Sequence, residues 1–136
     1  MRAKADLEIL IVEDRVVMLK IVGRLLLELG YQKVDEAANG LQAMERIREK
    51  RYDLILSDWN MDGMSGFQLL KMVRSVPRTA KVPFVLLTAE SKPENIIAAK
   101  AAGANGYLLK PFKLDVLEMT LDAVLAKGGF VSLEVA

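Results

Sequence analysis

The chain predicts an α/β fold, a parallel sheet covered by helices on both faces, and three observations carry that expectation. Short apolar runs of strand length alternate with stretches of helical period, with no linker or low-complexity segment between them. The runs are apolar almost throughout, as strands buried on both faces must be, instead of alternating apolar with polar. Several of them stop on an acid, a hydroxyl or a lysine, the residue types that do chemistry in the crevice beyond the strands' C-terminal ends.

Taken in order, "LEILIV" (7–12) reads as the first strand. Met18, Ile21, Val22, Leu25, Leu26 and Leu29 then fall on one helical face before Gly30, a glycine stop. A weaker strand around "KVDEAA" leads to Asn39, whose spacing to Gln42 predicts a capped helix running through "ERIREKR", a solvated charged face. "DLILSD" (53–58) is the third strand and ends on Asp58. Ser65 and Gln68 form a capping-box pattern for a third helix that ends near Val76 and Pro77. "VPFVLL" (82–87) is the fourth strand, and Ser91 with Glu94 predicts a second capping box before "NIIAAKAAG". "GYLL" (106–109) is the fifth strand, and Leu114, Leu117, Leu121 and Val124 mark a last helix expected to stop at Gly128. The stretch "GFVSLEVA" (129–136) shows no periodicity, and 128–136 reads as a tail. Right-handed crossovers would join these elements into one domain, 1–136, with its core over about 7–127.

Composition narrows the chemistry. A chain of 136 residues is one ordinary domain, too short for a second folded output module of usual size. Its 19 basic and 18 acidic residues give a net charge of +1 with no basic block, which argues against a nucleic-acid or membrane-surface partner. No apolar run reaches the roughly 18 residues of a membrane span, and no signal-peptide pattern opens the chain, so a cytoplasmic protein is expected, and a monomer is taken as its state. With no cysteine and no histidine there is no thiolate or imidazole. Carboxylates, hydroxyls, amides and lysines remain, and they suit a hard cation such as magnesium better than zinc or copper.

In a parallel sheet every strand's C-terminal end opens on the same rim. Glu13 and Asp14, then Asp58, Thr88 and Lys110 follow or close four of the strands and therefore converge. Each alone has a plain structural reading: a helix cap for Asp14, a turn for Asp58, a β-favouring residue for Thr88, a surface amine for Lys110. Together they do not. At ~4 Å and an effective dielectric near 20, each pair of like charges costs on the order of 4 kcal/mol. A divalent cation with Lys110 would offset three such carboxylates.

The stretches "ILIVEDR", "LILSDWNM" and "FVLLTAESKPENIIAAKAAGANGYLLKPF", with their spacing, resemble the receiver domain of two-component response regulators, above all the single-domain CheY-like chemotaxis regulators. The resemblance implies a doubly wound, flavodoxin-like (βα)5 sheet of strand order 2-1-3-4-5. It implies that Asp58 accepts a phosphoryl group from a CheA-like histidine kinase, so that the protein is a phosphoacceptor which catalyses its own phosphorylation and dephosphorylation and is not a turnover enzyme. Glu13, Asp14, Asp58 and the Asn60 carbonyl would hold magnesium, with manganese as a substitute. Lys110 and Thr88 would contact phosphoryl oxygens, and a cis bond before Pro111 would aim the lysine. Thr88 and Tyr107 would form the switch, and Asn60 and Glu90 would tune water attack. The output surface would be the fourth helix, fifth strand and fifth helix, with Ser91, Lys92, Ile96 and Tyr107 exposed on it for a FliM-like flagellar switch protein. Met61, Met64 and Phe112 read as packing.

Three departures stand beside the resemblance. Asp62, followed by Gly63, replaces a usual proline, so a looser loop and an extra acid near the metal are expected. Glu13 replaces an aspartate, and Thr120 stands on the last helix where a partner-facing lysine is usual. Two other readings remain: a receiver serving a phosphorelay or another non-flagellar pathway, and a hydrolytic phosphatase with Asp58 as nucleophile. Asn60, in place of the second aspartate such phosphatases carry, argues against the last.

Overall fold

The computed structural model describes residues 2–126 and 130–132. After a short 3-10 turn at Lys4–Asp6, the elements run β1 (Glu8–Val12), α1 (Val16–Glu28), β2 (Lys33–Ala37), α2 (Gly40–Glu49), β3 (Leu54–Asp58), α3 (Gly66–Ser75), β4 (Phe84–Thr88), α4 (Pro93–Ala101), β5 (Gly106–Leu109), α5 (Leu114–Leu125) and β6 (Val131–Ser132). All strand pairs are parallel, in the order β2-β1-β3-β4-β5-β6. The expected α/β sheet and its 2-1-3-4-5 order are present.

Successive strand residues point to opposite faces, and the sheet divides its core accordingly. Leu10, Val12, Ile55, Phe84, Leu86 and Tyr107 pack with Ala43, Met44 and Ile47 of α2, Leu69, Leu70 and Val73 of α3 and Ala99 of α4. Ile9, Ile11, Leu54, Leu56, Val85, Leu87 and Leu108 pack on the other face with Leu19, Val22 and Leu26 of α1 and Leu117, Leu121 and Val124 of α5. β3 and β4 are buried along their whole length, which explains their unbroken apolar character.

Local signals hold where nothing competes with them. The Asn39 side chain accepts from the Gln42 amide at 2.9 Å, and Ser65 with Gln68 forms a complete capping box. The second expected capping box does not form. Lys92, not Ser91, is the N-cap of α4 and makes no side-chain cap bond, because Pro93 takes the first helical position; proline suits that position, lacking an N–H and already holding a helical φ. Asp14 caps nothing either, since α1 begins after Arg15 without a side-chain cap bond.

A further correction concerns the expected tail. Val131–Ser132 forms a sixth strand on β5. Periodicity has no purchase on a strand of two residues. The expected stop at Gly128 lies outside the described residues, and no described helix is long and apolar enough to cross a membrane.

Candidate functional site

The register sets the site. Val12 lies opposite Ser57, Asp58 opposite Leu87, and Thr88 opposite Leu109, so the residues that end or follow β1, β3, β4 and β5 share one rim. Backbone bonds carry the ladder past the strand ends: Glu13 N–H donates to the Ala37 carbonyl (3.0 Å), Trp59 N–H to Leu87 (2.8 Å) and Lys110 N–H to Thr88 (2.8 Å).

Glu13, Asp14 and Asp58 present carboxylate oxygens within 4.8 Å of one another, with Glu13 and Asp58 buried and Asp14 exposed. The Lys110 ammonium, 7% exposed, pairs with Asp58 and lies 3.4 Å from Glu13 Oε1. The Lys110–Pro111 peptide is cis. One lysine does not balance three carboxylates, and a set of hard oxygen donors crowded to this degree fits a hard divalent cation.

That imbalance shows at Glu13. Its carboxyl is held above the ordinary glutamate value of 4.5, first by burial and then by the Asp58 charge, with Lys110 pulling it partly back. In a window above pH 4.5 the folded chain therefore keeps a proton that the unfolded chain has released. Without a divalent cation, stability should fall as pH rises through that window. Magnesium should reverse the loss, and at a hundred times its Kd it should add about 2.7 kcal/mol. Thermal melts across pH with and without magnesium check this. A magnesium shift that fails to grow with pH would show that Glu13 is not strained by its neighbours.

Thr88, 2% exposed, accepts at its hydroxyl oxygen from the Glu90 N–H (3.1 Å). Asn60 is exposed and lines an open cleft of about 260 Å³ with Asp14, Trp59, Met61, Asp62 and Ser65. Glu90 is exposed, and its carboxylate accepts from Asn95 at 3.3 Å. Met61 and Met64 are half-buried and pack against the core on the α2, α3 and α4 side, and Phe112 packs against the opposite core, as expected of spacers.

Ser91 and Lys92 are exposed and Ile96 is half-buried. Tyr107 departs from the expectation: it is 1% exposed, its hydroxyl donates to the Glu90 carbonyl at 2.6 Å, and its ring meets Trp59 edge-on at 6.1 Å. Its position in β5 turns the ring toward α4 and the core, and the carbonyl partner removes the penalty of burying a phenol there. Thr120 departs likewise. It is 0% exposed and its hydroxyl donates to the Val116 carbonyl (2.8 Å), so it is not part of an exposed face. Ile97, 67% exposed on α4, is a residue the spacing did not single out.

Two contributors were missed. The Asp62 N–H donates to Asp14 Oδ2 at 3.2 Å, a bond a proline at that position could not make, whereas the Asp62 carboxylate stands outside the three-acid cluster. Gly66 opens α3 directly beneath Asp58. A Cβ there would sit 2.9 Å from the Asp58 carbonyl carbon and closer still to its oxygen, and 3.0 Å from Ser57 Oγ. The signal was available, since Gly66 follows a good N-cap in a helical turn where no positive φ calls for glycine.

Over residues 9–122 the sequence matches the response regulator receiver domain. The chain belongs to that family. It is 40% identical over 122 residues to chemotaxis protein CheY-3 of Vibrio cholerae, covering 90% of this chain and 94% of that one. It is 38% identical over 121 residues to chemotaxis protein CheY of Pseudomonas aeruginosa, covering 89% and 98%. Among solved structures, Vibrio cholerae CheY4 superposes with a TM-score of 0.82 at 37% identity, covering 87% of this chain and 98% of that one. The receiver domain of the Pseudomonas aeruginosa sensor histidine kinase PA1611 superposes at 0.80 with 33% identity, covering 89% and 98%, and carries a magnesium ion in its active-site cleft. As a CheY-like receiver, the chain is a phosphoryl-accepting signalling domain, and such domains interact with histidine kinases and downstream targets.

Proposed function

We propose that this chain is a cytoplasmic single-domain response regulator in which Asp58 takes a phosphoryl group from a phosphohistidine of a CheA-like kinase. The buried pairing of Asp58 with Lys110 beside Glu13 and Asp14 is the observation that carries the reading. An Asp58 oxygen attacks phosphorus, the phosphorus–nitrogen bond breaks, the imidazole leaves, and an acyl phosphate remains on Asp58. Glu13, Asp14, Asp58 and the Asn60 carbonyl would hold magnesium, which would supply positive charge to offset that of the carboxylate and phosphoryl oxygens. Lys110 shifts to a phosphoryl oxygen, and the Thr88 hydroxyl turns from the Glu90 amide toward another. Each group needs only positioning and charge, as phosphoryl transfer requires. Phosphorylation adds about one net negative charge at Asp58, which Lys110 and Thr88 are placed to sense. Incubation with a phosphohistidine donor, followed by intact-mass measurement of wild type and Asp58→Asn, tests the assignment.

Asn60 and Glu90 flank the path of an attacking water. Bulkier residues at either position should change the decay of the acyl phosphate by about ten- to a hundredfold while leaving phosphorylation possible. The decay of trapped phosphoprotein measures it; equal rates in wild type and both variants would remove these positions from the mechanism.

The identity to chemotaxis regulators favours the flagellar motor as target. On this reading α4, β5 and α5 form the output face, with Ser91, Lys92 and Ile96 on it and Tyr107 behind it, and it receives an amphipathic N-terminal peptide of a FliM-like switch protein. Beryllofluoride with magnesium should tighten that peptide's binding by roughly 5- to 150-fold, and Thr88→Ala should lose the difference. Titration of the peptide with and without beryllofluoride decides. No binding in either state would point instead to a phosphorelay or other non-flagellar target.

A further inference from the structure

We propose that Phe130, Val131 and Ser132 form a strap held in cis on the α4–β5–α5 face, where they occupy the start of the β5 edge and lower affinity for a partner docking there. The inference deepens the output-face reading and rests on it.

β5 would otherwise end the sheet with an open row of backbone donors and acceptors, a template for another chain. Val131 and Ser132 cover its first half, opposite Gly106 and Tyr107, and the Val131 N–H donates to the Asn105 carbonyl at 3.0 Å. That acceptor sits on a fixed corner. The Asn105 side-chain oxygen accepts from the Phe84 N–H and from Arg74 Nη2, both at 2.9 Å, and Arg74 Nε also donates to the Gly103 carbonyl at 3.0 Å.

Side chains set the strap astride β5. Phe130 packs against the core that contains Tyr107 and Ala99 of α4, whereas Val131 packs against the core that contains Leu117, Leu121 and Val124 of α5. The alternation of a strand thus places one apolar residue toward each flanking helix. Tyr107, whose side chain is buried behind this face, is at the same time the residue whose backbone lies opposite Ser132. A change of conformation at Tyr107 therefore acts directly on the ladder that holds the strap.

The hold is weak by construction. β6 has two residues, and Phe130, Val131 and Ser132 are each half-buried. Such a short, partly exposed ladder opens at the low end of the range for local unfolding. A partner that needs the β5 edge binds only the fraction of molecules with the strap off, so a strap engaged about nine-tenths of the time weakens binding about tenfold.

The test compares the full chain with Val131→Pro, which removes the N–H given to Asn105, and with a chain ended after residue 129. Each is read by the FliM-like peptide's affinity in magnesium without beryllofluoride, and in the full chain by amide hydrogen exchange at Val131 with and without beryllofluoride. The expected result is a peptide Kd about tenfold lower in both strap variants, with Val131 exchanging faster once beryllofluoride is added. A retained Trp59 response to magnesium shows that the variants are folded. Equal affinities together with unchanged Val131 exchange would overturn the strap and leave β6 as a passive edge cover. If no chain binds the peptide, the flagellar reading fails by itself, and the exchange result still upholds or overturns the strap.

Discussion

Replacing Asp58 by alanine should leave a protein that still senses magnesium weakly but no longer responds to a phosphoryl mimic. The reporter is built in. Trp59, the only tryptophan, follows Asp58, stacks on Phe67 at 5.1 Å and 16°, and meets the Tyr107 ring edge-on. The indole also lines the open cleft with Asp14 and Asn60, so filling the site changes the charge beside it. In wild type, magnesium and then beryllofluoride should each change its fluorescence in a saturable step. In Asp58→Ala the second step should vanish, because no carboxylate remains to bond the beryllium, and the first should need more metal, because one of three carboxylates is gone. The same substitution removes the charge that ranks second, after burial, in raising Glu13, so the dependence of stability on pH should also flatten. A beryllofluoride response that survives in Asp58→Ala would place the acceptor elsewhere.

Gly66→Ala should be the most damaging substitution of a residue that carries no reacting atom. The added carbon meets atoms with little freedom to move: the Asp58 main-chain carbonyl on one side and, on the other, the Oγ of the short, fully buried Ser57 side chain. The Gly66 N–H is itself bonded to the Trp59 carbonyl at 2.9 Å, so α3 cannot withdraw without breaking that bond. Overpacking of this kind costs about 3 kcal/mol, the upper part of its usual range, and lowers the melting temperature by on the order of 10 °C in a domain of this size. The strain should also move Asp58 relative to Lys110, so phosphorylation should slow even well below the melting temperature. A thermal melt and a phosphorylation time course check the two effects separately. Gly63→Ala is the control: Gly63 has a φ of +79°, but its Cβ would meet nothing within 4 Å, so only the milder strain of a left-handed alanine, about 1 kcal/mol, should appear.

Much of the site was legible because it lies at the ends of strongly apolar strands. Glu13, Asp14, Asp58, Thr88 and Lys110 each follow or close a run that can only be a buried strand, and parallel strands deliver their ends to one rim. The caps at Asn39 and Ser65 were legible because a cap is satisfied within three residues. Ser91 failed for an equally local reason, Pro93. Gly66 and the Asp62 N–H were not picked out, because their contacts lie across the rim, 8 and 48 positions away in the chain.

What the chain determined by itself is the α/β alternation, the strand order that the family resemblance implies, and the set of groups at the rim. The alternation and the rim set follow from residues near one another in sequence, or from a pattern repeated along it, whereas the strand order came through the resemblance alone. Only the tertiary structure decided which way Tyr107 and Thr120 face and that Val131 and Ser132 close the sheet. Tyr107 could have been an exposed sheet aromatic; it is buried because the core on the α4 side has room for its ring and the Glu90 carbonyl takes its hydroxyl. The sixth strand carries too few residues to have a period of its own. It is a strand because β5, some twenty-five residues earlier, leaves an edge whose unpaired backbone groups it satisfies.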